Sequence, residues 1–157
     1  LREEPPVPTL QPKRRTGGCL CGHVRYEATG KPSFPHLCSC GQCRRWSGSL
    51  TVAWVDVPLD GFRWTGPGGE PAFFRSSDRT RRGSCPACGS ALCALDDGSD
   101  RIALTIATLD EPDPIMPGRQ HSFRDGVPPW WRVSIEKPPG RRGKGGGTET
   151  GDGLQIE

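Results

Sequence analysis

Seven of the eight cysteines in this chain of 157 residues fall into three tight clusters: Cys19-x-Cys21, Cys38-x-Cys40-x-x-Cys43 and Cys85-x-x-Cys88. Spacings this short set thiols side by side, and thiols held side by side serve as disulfides or as metal ligands. Eight cysteines in 157 residues, about 5%, is below the share typical of small disulfide scaffolds. The segment from Leu1 to Thr16 is Pro-rich and charged, without the apolar stretch of a secretory leader. No apolar run approaches the roughly 20 residues a membrane span needs. The expected setting is therefore the cytosol, with no membrane partner, where paired cysteines read as metal ligands.

Each cluster has ligand geometry built in. Residues i and i+2 of an extended segment point the same way, so Cys19 and Cys21 are expected to bite one ion from the start of a strand. Cys85-Pro86-Ala87-Cys88-Gly89 has the form of a zinc knuckle, with Gly89 permitting a left-handed backbone. A structural zinc wants four ligands, and these two distant pairs together supply them. Cys38, Cys40 and Cys43 then remain as three thiolates, the ligand number of a zinc with a vacant fourth position. Two alternatives stay open. One is a ribbon pairing Cys40-x-x-Cys43 with Cys85-x-x-Cys88. The other has Cys93 or a histidine completing the 38/40/43 set, which makes both ions structural. Cys93 lies in the apolar stretch Ala91 to Leu95 and reads by default as a buried, inert thiol.

Around these clusters the pattern is mainly β. Gly22 to Ala28 alternates, with Val24, Tyr26 and Ala28 on one face and His23 facing solvent. Thr51 to Val57 and Arg101 to Ala107 are further strands. Ala72 to Ser76, Arg79 to Ser84 and Ala91 to Leu95 are weaker ones, the first two forming a hairpin about Ser77-Asp78. One short helix is expected from Gln42 to Trp46. Residues 16 to 136 carry 13 Lys/Arg and 13 Asp/Glu, so the net charge of +3 lies in the ends. Those ends, 1–15 and 137–157, are Pro-rich and Gly-rich respectively and are expected to be disordered tails flanking one domain at 16–136. Nucleic acid is not an expected partner, because clustered tail charge is most often solvated.

Three stretches carry a family resemblance. Gly18-Cys19-Leu20-Cys21-Gly22-His23-Val24-Arg25-Tyr26, Cys38-Ser39-Cys40-Gly41-Gln42-Cys43-Arg44-Arg45-Trp46-Ser47-Gly48 and Arg82-Gly83-Ser84-Cys85-Pro86-Ala87-Cys88-Gly89-Ser90-Ala91-Leu92 resemble the glutathione-dependent formaldehyde-activating (GFA) family. That family includes the centromere protein V type of domain. Leu109-Asp110-Glu111-Pro112, His121 and Pro129-Trp130-Trp131 are similar to its later motifs. The resemblance implies a single-domain β-tent fold with two zinc ions per chain, one structural on Cys19, Cys21, Cys85 and Cys88 and one catalytic on Cys38, Cys40 and Cys43. It also implies a carbon-sulfur lyase that joins glutathione, or another low-molecular-weight thiol, to formaldehyde as an S-hydroxymethyl adduct. Many relatives have His at Ser39, an aromatic at Ser84 and Gly at Ala107.

A zinc ion on three thiolates has a formal charge of about −1 and is a poor generator of hydroxide. It is better suited to binding a fourth thiol as a thiolate nucleophile, which a small aldehyde then meets at carbon. His121 is the candidate acid, a partner of a ligand, or a ligand, against the plain reading of a loop histidine. Arg44 and Arg45 are candidates to clamp a carboxylate of the thiol, against two solvated arginines. His36 is expected at the surface, and Trp130 and Trp131 to cap the core. The competing class is a non-catalytic, zinc-stabilised interaction module whose basic tails contact a partner.

Overall fold

The computed structural model describes residues 13–137. Among them are ten strands and one α-helix, the mainly β architecture expected. The expected disordered tails fall largely at 1–12 and 138–157, outside the described residues. Three strands, β1 (Arg15–Gly18), β2 (Arg25–Ala28) and β5 (Phe62–Trp64), make a small antiparallel sheet in the order β1-β2-β5. The others are β3 (Ser33–Cys38), β4 (Val52–Pro58), β6 (Ala72–Arg75), β7 (Thr80–Ser84), β8 (Ala91–Asp96), β9 (Arg101–Thr105) and β10 (His121–Ser122). These seven form a second sheet in the order β10-β3-β4-β9-β8-β7-β6.

Register gives the large sheet two unlike faces. Val55 pairs with Leu104, Val57 with Ile102, and Leu104 with Cys93. Side chains directly opposite one another share a face, so these five point together. They meet Val24 and, from β2, Tyr26 and Ala28 in the main core. Leu104, Leu92, Val24 and Tyr26 are fully buried there, and Tyr26 stacks against Phe62 with its hydroxyl 2.9 Å from Thr108 Oγ1. The alternate residues of the same strands, Trp54 and Asp56 of β4, Ala103 of β9 and Ala94 of β8, turn to the other face.

Two expectations about the strands need correction. Gly22 to Val24 is not strand: it finishes a turn, and pairing begins only at Arg25. Arg101 to Ala107 is strand only to Thr105, after which a 3-10 turn runs from Ile106 to Thr108, where Thr108 Oγ1 donates to the Thr105 carbonyl at 2.8 Å. Strand β1 has the weak pattern Arg-Thr-Gly-Gly and β3 contains Pro35, so neither announces itself. Pro35 sits where the β3–β4 register shifts and Phe34 adopts φ 50°, a bulge that tolerates the missing N–H.

Glu27 breaks the alternation of β2 by being buried, and two cations explain it. Arg14 and Arg63 both reach its carboxylate. The hydrogen bond from Arg14 holds Glu27 below its ordinary 4.5, aided by the charge of both arginines. A carboxyl whose folded pKa is depressed stabilises fully above its unfolded value and loses that contribution as pH falls through the folded one. Glu27→Gln should therefore lower stability at neutral pH and flatten the acid loss below about pH 4.5, read by urea unfolding across pH. Leu104→Ala, at the centre of the main core, should cost about 2–5 kcal/mol in the same measurement.

Candidate metal centres

The sulfurs of Cys19, Cys21, Cys85 and Cys88 lie within 4.8 Å of one another. Cys19 and Cys21 are not on an extended strand as expected: they sit in the turn joining β1 to β2, a second knuckle facing the one at Cys85–Gly89. The Val24 amide donates to Cys19 Sγ at 3.2 Å, and the Cys19 amide to the Val24 carbonyl at 2.9 Å. In the other knuckle Gly89 takes φ 77° and its amide closes on the Cys85 carbonyl at 2.9 Å, a conformation that favours glycine. Ser90 ties the two together, since its hydroxyl accepts from the Leu20 amide at 3.0 Å and lies 3.2 Å from Cys88 Sγ.

The set fits a tetrahedral ion. With metal-sulfur bonds of about 2.3 Å, the edges of a tetrahedron are about 3.8 Å. Cys19 and Cys21 are 3.6 Å apart, and Cys21 and Cys85 3.8 Å. As free thiols Cys88 and Cys21 hold their protons unequally. Hydrogen bonds from Ser90 bring Cys88 down to about 5. Cys21, in spite of a backbone hydrogen bond from His23, is pushed up to about 11 by burial and the neighbouring thiols. Four anions at this spacing need a cation among them.

The second group is Cys38, Cys40 and Cys43, again within 4.8 Å. Cys38 ends β3, Cys40 is the N-cap of α1 (Gly41–Ser47), and Cys43 lies in its first turn. Cys40 Sγ accepts the Cys43 amide at 3.3 Å, a thiol in the place a serine hydroxyl usually takes. The hydrogen bond from Cys43 holds Cys38 below its ordinary value; the same bond, with burial, raises Cys43. Among the described residues no histidine, Asp, Glu or fourth cysteine joins this group. Cys93 stays in the main core, fully buried, its thiol pushed up to about 12 by burial. The ribbon pairing and the completed second set are thus not what the fold assembles.

The three thiols open onto a cavity of about 270 Å³ on the second face of the large sheet. Trp54, Asp56, Ala103, Ala94 and Arg82 line it, together with His36, which packs at a tilt against Phe34, ring centres 4.2 Å apart, and donates Nδ1–H to the Phe34 carbonyl. His36, expected at the surface, is half-buried in this wall. Only the register of β3 on β4, His36 opposite Trp54 and Cys38 opposite Val52, brings it there. Helix α1 roofs one end: Trp46 stacks on Trp54 at 5.6 Å and donates to Ser84 Oγ at 3.0 Å.

The other sequence candidates lie elsewhere. His121 is on the far side of Ser39, which the chain's alternation turns away from Cys38 and Cys40. Ser39 is fully buried, its hydroxyl 2.8 Å from His121 Nε2 and 2.9 Å from Thr51 Oγ1, which accepts the Trp131 indole N–H at 2.9 Å. Burial, then the charge of Arg124, lowers the pKa of His121. His121 and Trp131 line a separate cavity of about 380 Å³, while Trp130 is largely exposed and caps no core. Arg44 donates Nε to the Ser39 carbonyl at 3.2 Å, Arg45 is exposed, and neither lines the cavity of the three thiols.

The profile of the family described as glutathione-dependent formaldehyde-activating enzyme matches residues 14–125. The chain belongs to that family. A crystal structure of a Rhodobacter sphaeroides protein superposes with a TM-score of 0.52 at 20% identity, covering 68% of this chain and 98% of that one, a likeness of fold. Among curated proteins none matches the chain. No helix among the described residues is long and apolar enough to cross a membrane.

The two thiol sets are expected to separate by mutation. Cys88→Ser should release one metal ion and unfold the protein or lower its melting temperature sharply, since it removes a link between distant chain segments. Cys40→Ser should release one ion and leave a folded protein. Metal content and circular dichroism of the two variants check this.

Proposed function

We propose that the chain is a zinc-dependent carbon-sulfur lyase or synthase that forms or cleaves S-hydroxymethyl adducts of a small thiol. The observation that carries the reading is the asymmetry of the two sets: four sulfurs close one, whereas three sulfurs face a cavity in the other. In this reading Cys19, Cys21, Cys85 and Cys88 hold a structural zinc, and Cys38, Cys40 and Cys43 a working one. A zinc ion on three thiolates supplies affinity for a fourth sulfur and favours its thiolate form.

The protein's own groups do the rest. Cys38 is anchored at a strand end and Cys40 and Cys43 in the first turn of α1, so the three sulfurs are fixed relative to the sheet before any substrate enters. The cavity takes a small thiol and an aldehyde together. The substrate sulfur bonds to the carbonyl carbon, the C=O π pair moves to oxygen, and an acid protonates that oxygen to leave the S-hydroxymethyl product. In this reading His36 serves: its Nδ1–H is held by the Phe34 carbonyl, so Nε2 takes the proton the thiol releases and returns it to the aldehyde oxygen. It is two residues from Cys38 on the same side of β3, about 7 Å along the strand. His121, joined to Ser39 behind the ligand loop, positions that loop.

Zinc-edge X-ray absorption before and after adding glutathione tests the open site. The sulfur count per zinc should rise with thiol, and an unchanged count would overturn the reading. His36→Gln should lower kcat for adduct formation about 10²-fold or more, in line with loss of a general acid, with little change in KM.

A further inference from the structure

Behind the ligand loop, on the side of Ser39 away from the three thiols, lies the cavity of about 380 Å³ that the proposed reaction leaves unused. That volume is within the range of small-ligand sites. Its walls are fixed by the chain itself. His121 is held by the pairing of β10 with β3, where it stands opposite Leu37. Beyond it Phe123 takes φ 56° and the Gly126 amide closes on the Phe123 carbonyl at 2.9 Å, so Arg124 and Asp125 are presented from a tight turn. The Trp131 amide donates to the Pro128 carbonyl at 2.9 Å, a turn that brings the indole back to Thr51. Val127, Pro128, Val133 and the Trp131 ring supply the apolar part of the lining.

The hydrogen-bond chain in this wall has a direction. An indole nitrogen can only donate, so Thr51 Oγ1 accepts from Trp131 Nε1. Thr51 then gives its own proton to Ser39 Oγ at 2.9 Å, and Ser39 gives its proton to His121 Nε2 at 2.8 Å. That order uses every proton, whereas the reverse leaves the Thr51 proton without a partner among the described residues. Nε2 is therefore an acceptor, and the neutral ring carries its proton on Nδ1. Burial, then the charge of Arg124, favours that neutral ring. Among the described residues Nδ1 has no acceptor, and the Arg124 and Arg132 guanidinium groups make no hydrogen bond or ion pair, although all three residues line the cavity. Asp125 is the one acid in that lining among the described residues. Two guanidinium groups against one carboxylate leave the cavity with one positive charge in excess.

We propose that this rear cavity binds a small monocarboxylate with an apolar body. The carboxylate accepts from His121 Nδ1–H and from the guanidinium groups of Arg124 and Arg132, and the body lies against the Trp131 ring and Pro128. Guanidinium forks pair with the two oxygens of a planar carboxylate, and a single excess charge matches a monoanion. With a phosphate dianion the lining would be one positive charge short. A neutral apolar molecule would leave three donors against its surface without acceptors. The cavity shares no lining residue with the cavity of the three thiols, so the site goes beyond the thiol-accepting reading and does not depend on it.

The test is an NMR titration of the zinc-loaded full chain with benzoate, benzyl alcohol and acetate, followed on the indole N–H signal of Trp131, which is assigned by its loss in Trp131→Phe. Benzoate should shift that signal. It should bind about tenfold or more tighter than benzyl alcohol, which keeps the ring and lacks the charge, and than acetate, which keeps the charge and lacks the ring. Arg124 and Arg132 are exposed, so their substitution should leave the fold intact. Arg124→Gln and Arg132→Gln should each weaken benzoate about threefold or more, and the double variant about tenfold. Cys40→Ser should bind benzoate as tightly as the parent, because the carboxylate does not sit on the metal. Equal affinity for benzoate and benzyl alcohol, unchanged benzoate binding in the double variant, loss of binding in Cys40→Ser, or a Trp131 signal that does not move would each overturn the proposal. None of these outcomes touches the thiol-accepting reading, since no probe carries sulfur.

Discussion

The register of β4 on β9 is the constraint on which the rest depends. A strand's side chains alternate, so one choice of partners decides both what is buried and what lines the site. With Val55 opposite Leu104 and Val57 opposite Ile102, the apolar set closes the core against the small sheet. The same choice sends Trp54, Asp56 and Ala103 to the other face, where α1 and its thiols sit. A slip of one residue would bury Asp56 in the core and expose Val55, so stability of the core and shape of the cavity are specified together.

The two thiol sets are built by unlike devices. Turns with backbone amides directed at sulfur make the four-membered set, and they join segments more than sixty residues apart in the chain. The three-membered set is local, a strand end running into a capped helix, and it is held from behind. Ser39 lies between Cys38 and Cys40 with its hydroxyl on His121 and Thr51, its amide on the Ser122 carbonyl at 2.9 Å and its carbonyl on Arg44. Gly126 packs so closely over this loop that a Cβ there would lie 2.6 Å from the Ser39 carbonyl oxygen. The loop is therefore packed on its rear and open to the cavity on its front, the arrangement the proposed thiol-accepting site requires.

Departures from the family pattern become intelligible in this setting. Ser84 receives the indole N–H of Trp46 and so fastens the helix of one thiol set to the strand that leads into the other. Ser39 is small enough to be enclosed with both hydroxyl partners in place. Ala107 is exposed on the 3-10 turn and touches neither set.

The sequence by itself determined the mainly β class, the helix after Cys40, the β6–β7 hairpin and the three cysteine clusters, because these rest on alternation, turn chemistry and spacing within a few residues. It also carried the family, since the motifs are contiguous. What only the tertiary structure decided is which clusters join and which side chains share the cavity. His36 and Arg82 gave no local signal: one reads as a surface histidine and the other as one arginine among several. They become neighbours of the thiols through cross-strand register and a bulge at Phe34. His121, Arg44 and Arg45 stood out through proximity in sequence or motif, yet strand alternation and the helix surface turn them away from the front of the site. A pattern of short range fixes elements, whereas a site assembled from five strands and a helix is fixed only when those elements pair.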